Sequence, residues 1–372
     1  MTYRVVQWGT GWAGRQAIPG VLDHPDLELV GVYVRSDEKN GQDAGELAGM
    51  GPIGIAATND VDEVLALEAD CHLYMMMGHR PKAVRAAVEQ MARILEAGQN
   101  ISQTSIVPLY YPEFCAPEIR DPIAAACAAG GSSCYGTGVY PGVMSDVIPM
   151  GLLAGCERVD RVRVTEILNY IEYYGVEEAR LFGIGGPLDQ GQATADKVAE
   201  GSLPILGPSI RHLAAHLGVE IDEIRITEVE VAPALERTEV QGFVIEPGTM
   251  GALRHTTQGW AFGRPVIEHS FVTRYDNAAG PDWPAPRGGA TGCYRIEVEG
   301  SLSLEVDVNL EGHRASSEQT MGFPTDSPQL GAYLMTTAPA INAIPYLCQA
   351  EPGLYGSLDL DRRRDLHVIR GS

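Results

Sequence analysis

Apolar positions recur along this chain in two rhythms, and the change falls near residue 158. In the first half short apolar runs of strand type alternate with stretches of helical spacing. Residues 3–8 predict a strand, and residues 13–22 a helix that Pro19 should kink or shorten. Leu27–Val34 is β-branched and bounded by polar residues, as a buried strand is. Residues 60–68 predict a short helix, and Asp70–Met77 a strand ending at Gly78. Pro81 opens a helix over 82–97, in which Val84, Val88, Met91 and Leu95 recur at helical spacing and which Gly98 stops. Asn100–Gln103 is the next strand. Such a βαβαβ succession with short links specifies a parallel, doubly wound sheet.

After residue 158 the alternation becomes that of half-buried strands: Arg161–Leu168, Glu223–Val231, Arg237–Ile245, Pro265–Tyr275, Cys293–Val298 and Ser303–Leu310. Helices are expected at about 190–200 and 208–217. This is the pattern of an α+β domain on a mainly antiparallel sheet. Residues 276–292, rich in Gly and Pro, read as either a mobile lid or a plain sheet connection. Gln329–Leu347 returns to helical spacing and is expected to pack back on the first domain. The expected layout is a nucleotide domain over 1–145 completed by 329–372, and an α+β substrate and dimerisation domain over 146–328.

The junction of the first strand and helix reads VVQWGTGWAGR. A GxGxxG string is weak evidence alone, but here it follows a strand and opens a helix near residue ten, as a Rossmann dinucleotide fingerprint requires. Gly9 would permit the tight turn, Gly11 close approach of a pyrophosphate, and Gly14 close contact of helix and strand. Thr10, Trp12, Ala13 and Arg15 line the same loop and face the helix N-terminus that favours an anion. At the end of the second strand, where an NAD-selective fold places Asp or Glu for the ribose 2′-OH, stand Arg35 and Ser36, with Lys39 beyond. A cation and a hydroxyl suit a 2′-phosphate, so NADP(H) is favoured over NAD(H). Met77, Gly78, His79, Thr104 and Ser105 follow the carboxyl ends of later strands, where ligands of such sheets bind. Asn342 is a candidate for the nicotinamide carboxamide, or a terminal helix cap.

Charge and cysteines narrow the function. At 372 residues the chain is long for one core, and its net charge of −22 opposes nucleic acid as a partner. No apolar run approaches the ~18 residues of a membrane span, and no basic n-region precedes an apolar segment, so a cytoplasmic protein is expected. The seven cysteines have no CxxC spacing and the nine histidines no HExxH string; reduced thiols and no metal are expected.

Several strings together resemble the dihydrodipicolinate reductase-like proteins, in the branch that includes 2,4-diaminopentanoate dehydrogenase and the native amine dehydrogenases. They are Gly9–Arg15, DAGEL at 43–47, GTGVYPG at 136–142, EILNY at 166–170 and NAIP at 342–345. The resemblance implies a Rossmann domain, a second α+β domain, a homodimer, and hydride transfer to or from a small carbonyl, imine or amine. It also implies a glutamate in a TxEE-like string after the fifth strand. Here that string is Thr104-Ser105-Ile106-Val107-Pro108-Leu109-Tyr110-Tyr111-Pro112, with apolar Ile106 or Val107 at the glutamate position. The amination role of that glutamate therefore does not transfer.

Three residues remain as acid–base candidates, each with a plainer alternative. His79 is a proton donor or a helix cap, and Tyr140 a donor or part of the pocket lining. Glu166 is the best remaining carboxylate or a paired structural one; strict alternation puts it on one face with Leu168 and Tyr170, and Asn169 on the other. Two readings follow: an NAD(P)H-dependent oxidoreductase, or a non-catalytic NADP(H)-binding protein with a sensing or assembly role.

Overall fold

In a computed structural model the structure describes residues 2–76, 81–170, 176–240, 242–288, 290–313 and 328–360. The chain divides into two compact units, one holding Met1–Val143 and the chain from Tyr333 on, the other Met144–His313 and the segment ending at Ala332.

The first unit is built on six strands, β1 (Tyr3–Trp8), β2 (Leu27–Tyr33), β3 (Ala57–Thr58), β4 (Cys71–Tyr74), β5 (Asn100–Gln103) and β6 (Ser133–Gly136). Between them run α1 (Trp12–Leu22), α2 (Ala44–Leu47), α3 (Val61–Leu65), α4 (Pro81–Glu96) and α5 (Pro117–Gly130). A seventh strand, β15 in chain order (Gly353–Tyr355), joins the edge, giving the order β15-β6-β5-β4-β1-β2-β3 with every pair parallel. Successive residues of β1 explain the double winding. Val5 packs into one core with Ala17, Ile18 and Val21 of α1 and with Ile341, Ile344 and Leu347, while Val6 packs into another with Met91, Ile94 and Leu95 of α4 and Ile123 of α5. Both faces of the strand are apolar, so both need a helical layer.

The second unit holds α6 (Ile148–Leu153), α7 (Val176–Leu181) and α8 (Leu188–His216) with β7 (Val159–Asn169), β8 (Glu223–Pro233), β9 (Thr238–Val240), β10 (Phe243–Ile245), β11 (Met250–Ala261), β12 (Arg264–Arg274), β13 (Gly292–Gly300) and β14 (Leu304–Val308). Its main sheet runs β14-β13-β7-β12-β11-β8, antiparallel except for β12 with β7. α9 (Pro328–Asn342) and α10 (Ile344–Leu347) complete the described helices.

Three local expectations change. The two helices expected at 190–200 and 208–217 are one helix, α8, which continues through Pro204 and Pro208; packing of Ile210, Leu213 and Ala214 on the sheet outweighs the lost backbone bonds. The strand expected over Arg237–Ile245 is a hairpin, β9 and β10, turned at Gly242 with φ +77°. The loop after β12 is a pinned connection. Arg274 donates to the carbonyls of Ala279, Pro284 and Gly280, and the Asp276 carboxylate accepts from the backbone N–H groups of Leu235, Glu236 and Ala278. Trp283 lies under the Arg254 and Arg274 guanidinium groups, 5.3 and 6.0 Å from its ring centre. Among the described residues no helix is long and apolar enough to cross a membrane, and the seven cysteines are free thiols.

The carboxyl ends of the central strands are locked by a buried polar chain. Trp8 stacks against Tyr33 and Tyr74 at 4.2 and 5.4 Å. Its Nε1–H donates to His72 Nδ1 at 2.7 Å, His72 Nε2 lies 2.6 Å from Gln99 Oε1, and Gln99 Nε2 donates to the Leu65 carbonyl at 3.0 Å. Indole can only donate, so His72 accepts at Nδ1 and carries its proton on Nε2. Burial lowers its pKa to about 4 and keeps the ring neutral. Replacement of His72 by Leu strands a donor and an acceptor in the core and should cost about 2–4 kcal/mol in denaturant unfolding. The native ring resists protonation, so its stabilisation is complete above the ordinary His value and is lost as pH falls toward 4; the variant should lose less stability over that window than the parent.

Candidate active site

The fingerprint loop connects β1 to α1. Gly9 has φ +87°, and a Cβ there would stand 3.0 Å from the Met75 carbonyl oxygen. A Cβ on Gly14 would fall 2.0 Å from the Gly9 carbonyl oxygen, so the helix can begin this close to the strand only without a side chain. A Cβ on Gly11 would meet nothing within 4 Å: that side of the turn is open. The first turn of α1 carries no acidic residue. It carries Arg15, whose buried Nε has no hydrogen-bond partner and whose pKa is lowered by burial. Among the described residues Arg15 has no carboxylate in ion-pair contact. A desolvated cation therefore adds to the positive end of the helix.

The other cofactor candidates surround this turn. Lys39 Nζ donates to Thr10 Oγ1 at 3.0 Å and to its carbonyl at 3.3 Å, which brings the cation after β2 to the glycine loop. Arg35 is exposed and Ser36 half-buried; Arg35 is near enough for its charge to act on the Tyr74 phenol. Trp12 lies nearly parallel to Tyr333 at 6.2 Å, and Ala13 is half-buried beside it in sequence. Thr104 is half-buried, its N–H donating to the Tyr74 carbonyl, whereas Ser105 commits its hydroxyl to that same carbonyl. Gln103 Oε1 accepts from the N–H groups of Ser105 and Ile106, shaping the turn. Ile106 is buried and Val107 half-buried, so the string after β5 presents no carboxylate. Asn342 is the last residue of α9 and half-buried. Met77, Gly78 and His79 lie outside the described residues.

Of the remaining acid–base candidates, Tyr140 is buried at the start of the segment following β6. Glu166, in the middle of β7, is more informative. Its carboxylate accepts from Tyr170, four residues on, as the alternation predicts, and the Tyr294 phenol directly across on β13 is near enough to favour its charged form. Tyr275 lies 6.5 Å from the Tyr170 ring and is itself buried. Loss of water raises the Glu166 pKa to about 7, and the two phenols oppose that rise. The group is a buried carboxyl that exchanges a proton near neutral pH. Sequence reasoning missed Tyr294 because only the β7–β13 register brings it there. It also missed one histidine pair at helical spacing, His212 and His216 on α8, whose rings are 4.5 Å apart.

Residues 3–75 match the family model described as dihydrodipicolinate reductase, N-terminus. An amine dehydrogenase of Streptomyces virginiae is 36% identical over 367 residues, 96% of either chain. The 2,4-diaminopentanoate dehydrogenase of Acetoanaerobium sticklandii is 23% identical over 292 residues, 74% of this chain and 70% of that one. Among solved structures, an amine dehydrogenase from Mycobacterium smegmatis superposes with a TM-score of 0.74 at 22% identity, covering 98% of each chain.

Glu166 has a signature in stability. Between its ordinary value and about 7 the folded chain holds a proton that the unfolded chain releases, so this group's contribution is complete at low pH and is lost as pH rises through 7. The loss is on the order of 3 kcal/mol. Glu166→Gln should therefore gain stability relative to the parent between pH 5 and 8, read from melting temperature against pH. Tyr170→Phe removes a bond to the charged form and should move the transition to higher pH.

Proposed function

The chain belongs to the amine dehydrogenase family, and from that premise we propose that it is an NADP(H)-preferring oxidoreductase in which Glu166 handles the substrate proton. The observation that carries the second part is the buried Glu166 carboxyl, poised near neutrality between two phenols. Family membership sets aside the non-catalytic alternative: the chain is an oxidoreductase of the dehydrogenase class.

The residues at the glycine loop fit a nicotinamide dinucleotide. Gly11 leaves the anion side of the turn open, Arg15 brings a cation that no carboxylate of the described residues pairs with, and Lys39 stands at Thr10. Arg35 and Lys39, in place of an acidic residue, support a 2′-phosphate and hence NADP(H). Bound there, the dinucleotide supplies the hydride acceptor or donor.

The chain's own part is proton chemistry. In amine oxidation, the Glu166 carboxylate takes a proton from the substrate ammonium, and the freed nitrogen lone pair forms the C=N bond as hydride leaves the adjacent carbon. Water then adds to the iminium carbon and ammonia departs. In the reductive direction the neutral acid returns the proton. A carboxyl with a pKa near the working pH can serve both directions. Tyr170 and Tyr294 hold the carboxylate oriented. The reading extends to a homodimer, as the family resemblance implies.

Reduction of NADP⁺ by small primary amines, and NADPH oxidation by ketones with ammonia, tests the activity; turnover in neither direction would reject it. Glu166→Gln should lower kcat by roughly 10²- to 10⁴-fold. Arg35→Ala should weaken NADPH binding at least about tenfold more than NADH binding, and equal losses would misplace the phosphate site.

A further inference from the structure

Cys71 opens β4 and Cys348 directly follows α10, so most of the chain separates them in sequence. In the fold their thiols meet. Cys71 Sγ is in side-chain hydrogen-bond contact with Cys348. Cys348 Sγ also donates to the Asp70 carbonyl at 3.6 Å, and that carbonyl belongs to the peptide that enters Cys71. The Asn100 side-chain amide, opposite Cys71 in the β4–β5 register, donates to Cys348 Sγ at 3.7 Å and to the same Asp70 carbonyl at 2.9 Å. Packing holds the arrangement: Cys71 belongs to the core shared with Ile341, Ile344 and Leu347, and Cys348 packs against that core.

The two thiols differ in exposure. Cys71 is fully buried and Cys348 half-buried. Burial pushes the Cys71 thiol well above its ordinary range, and the neighbouring Cys348 adds to the rise, so Cys71 keeps its proton. The other cysteines lack this combination. The Cys134 backbone N–H reaches the Cys127 sulfur, but both residues are buried, and Cys134 faces the opposite core from Cys71. Cys115 and Cys293 are buried as well, and Cys156, half-buried, donates to the Leu152 carbonyl. Among the described residues, only Cys71 and Cys348 join contact between thiols to partial exposure of one of them.

We propose that Cys71 and Cys348 form a peroxide-responsive dithiol, an oxidation site that closes reversibly to a disulfide and staples the C-terminal helices to the nucleotide-domain sheet. In the first step the Cys348 sulfur attacks a hydroperoxide; the O–O bond breaks, the sulfur keeps one oxygen as a sulfenic acid, and with hydrogen peroxide the other leaves as water. In the second step the Cys71 sulfur attacks Cys348 and the S–S bond forms. The sulfenic oxygen departs with the Cys71 thiol proton as water. The peroxide is reduced by two electrons and the pair of thiols is oxidised by two. Sulfurs already in contact need only side-chain rotation to bond, and an added thiol reverses the bond by exchange. The site lies away from the glycine turn. β4 and β5 run parallel to β1, so Cys71 and Asn100 mark the amino ends of strands whose carboxyl ends face the turn. The proposal is independent of the roles assigned to Glu166 and to the dinucleotide.

The test exposes the native full-length protein to a modest excess of hydrogen peroxide, blocks the remaining thiols after unfolding, and maps the peptides without reduction. A Cys71–Cys348 linked peptide within one chain is expected, with the count of free thiols lowered by two from seven and restored by dithiothreitol. Because the bridge closes a loop of most of the chain, the melting temperature should rise on oxidation by at least about 4 °C. In Cys71→Ala the sulfenic acid at Cys348 should instead be trapped by dimedone and pass on to the sulfinic acid, with no rise in melting temperature. Cys348→Ser changes a half-buried position and spares the core; there Cys71 should stay unmodified under the same exposure. The proposal would be overturned by absence of the linked peptide in the parent, by sulfinic acid at Cys348 forming as readily in the parent as in Cys71→Ala, by a bridge between two chains, or by oxidation of Cys127 and Cys134 ahead of this pair.

Discussion

The second unit is organised around a carboxyl group that has lost its water. Glu166 lies in the middle of a central strand with sheet neighbours on both sides; the Tyr170 hydroxyl donates to it, and the Tyr294 phenol across the sheet favours its charged form. An isolated buried carboxylate is too costly to persist, and two phenolic donors reduce that cost without a cation to fix the charge. A guanidinium would have held the group ionised at all working pH values. Phenols leave it able to gain and release a proton, which is what an acid–base group needs. Arg161 and Arg163 lie on the other face, where they neutralise Glu268 instead.

The first unit solves a different electrostatic problem by opposite means. Its glycine turn excludes side chains where backbone meets backbone, at Gly9 and Gly14, and leaves Gly11 open. Positive charge is gathered around it: the N-terminus of α1, Arg15 and the Lys39 ammonium. Beneath the strand ends, Trp8 and His72 form a rigid neutral base. One unit is built to receive a fixed anion and the other to exchange a proton, the two demands of moving a hydride to or from a carbon bonded to nitrogen.

Much of this was legible in the chain, for local reasons. The order strand, glycines, helix at residues 3–22 states the turn geometry outright, and alternation along β7 was enough to put Glu166 and Tyr170 on one face. What was not legible depends on register between distant strands. Tyr294 reaches Glu166 only through the pairing of β7 with β13, which no local pattern specifies. The continuity of α8 through two prolines is likewise a tertiary effect, decided by the sheet it covers. Ser105 looked like a ligand contact from its position after β5, and only the structure shows its hydroxyl turned to the Tyr74 carbonyl.

The central claim, that Glu166 exchanges its proton near neutral pH, is tested most directly by infrared difference spectroscopy of the parent against Glu166→Gln across pH. A protonated carboxyl C=O band, absent from the variant, should disappear with a midpoint near 7. A band already lost below pH 5 would show an ordinary surface-like carboxylate and rule out proton exchange at Glu166 near neutrality.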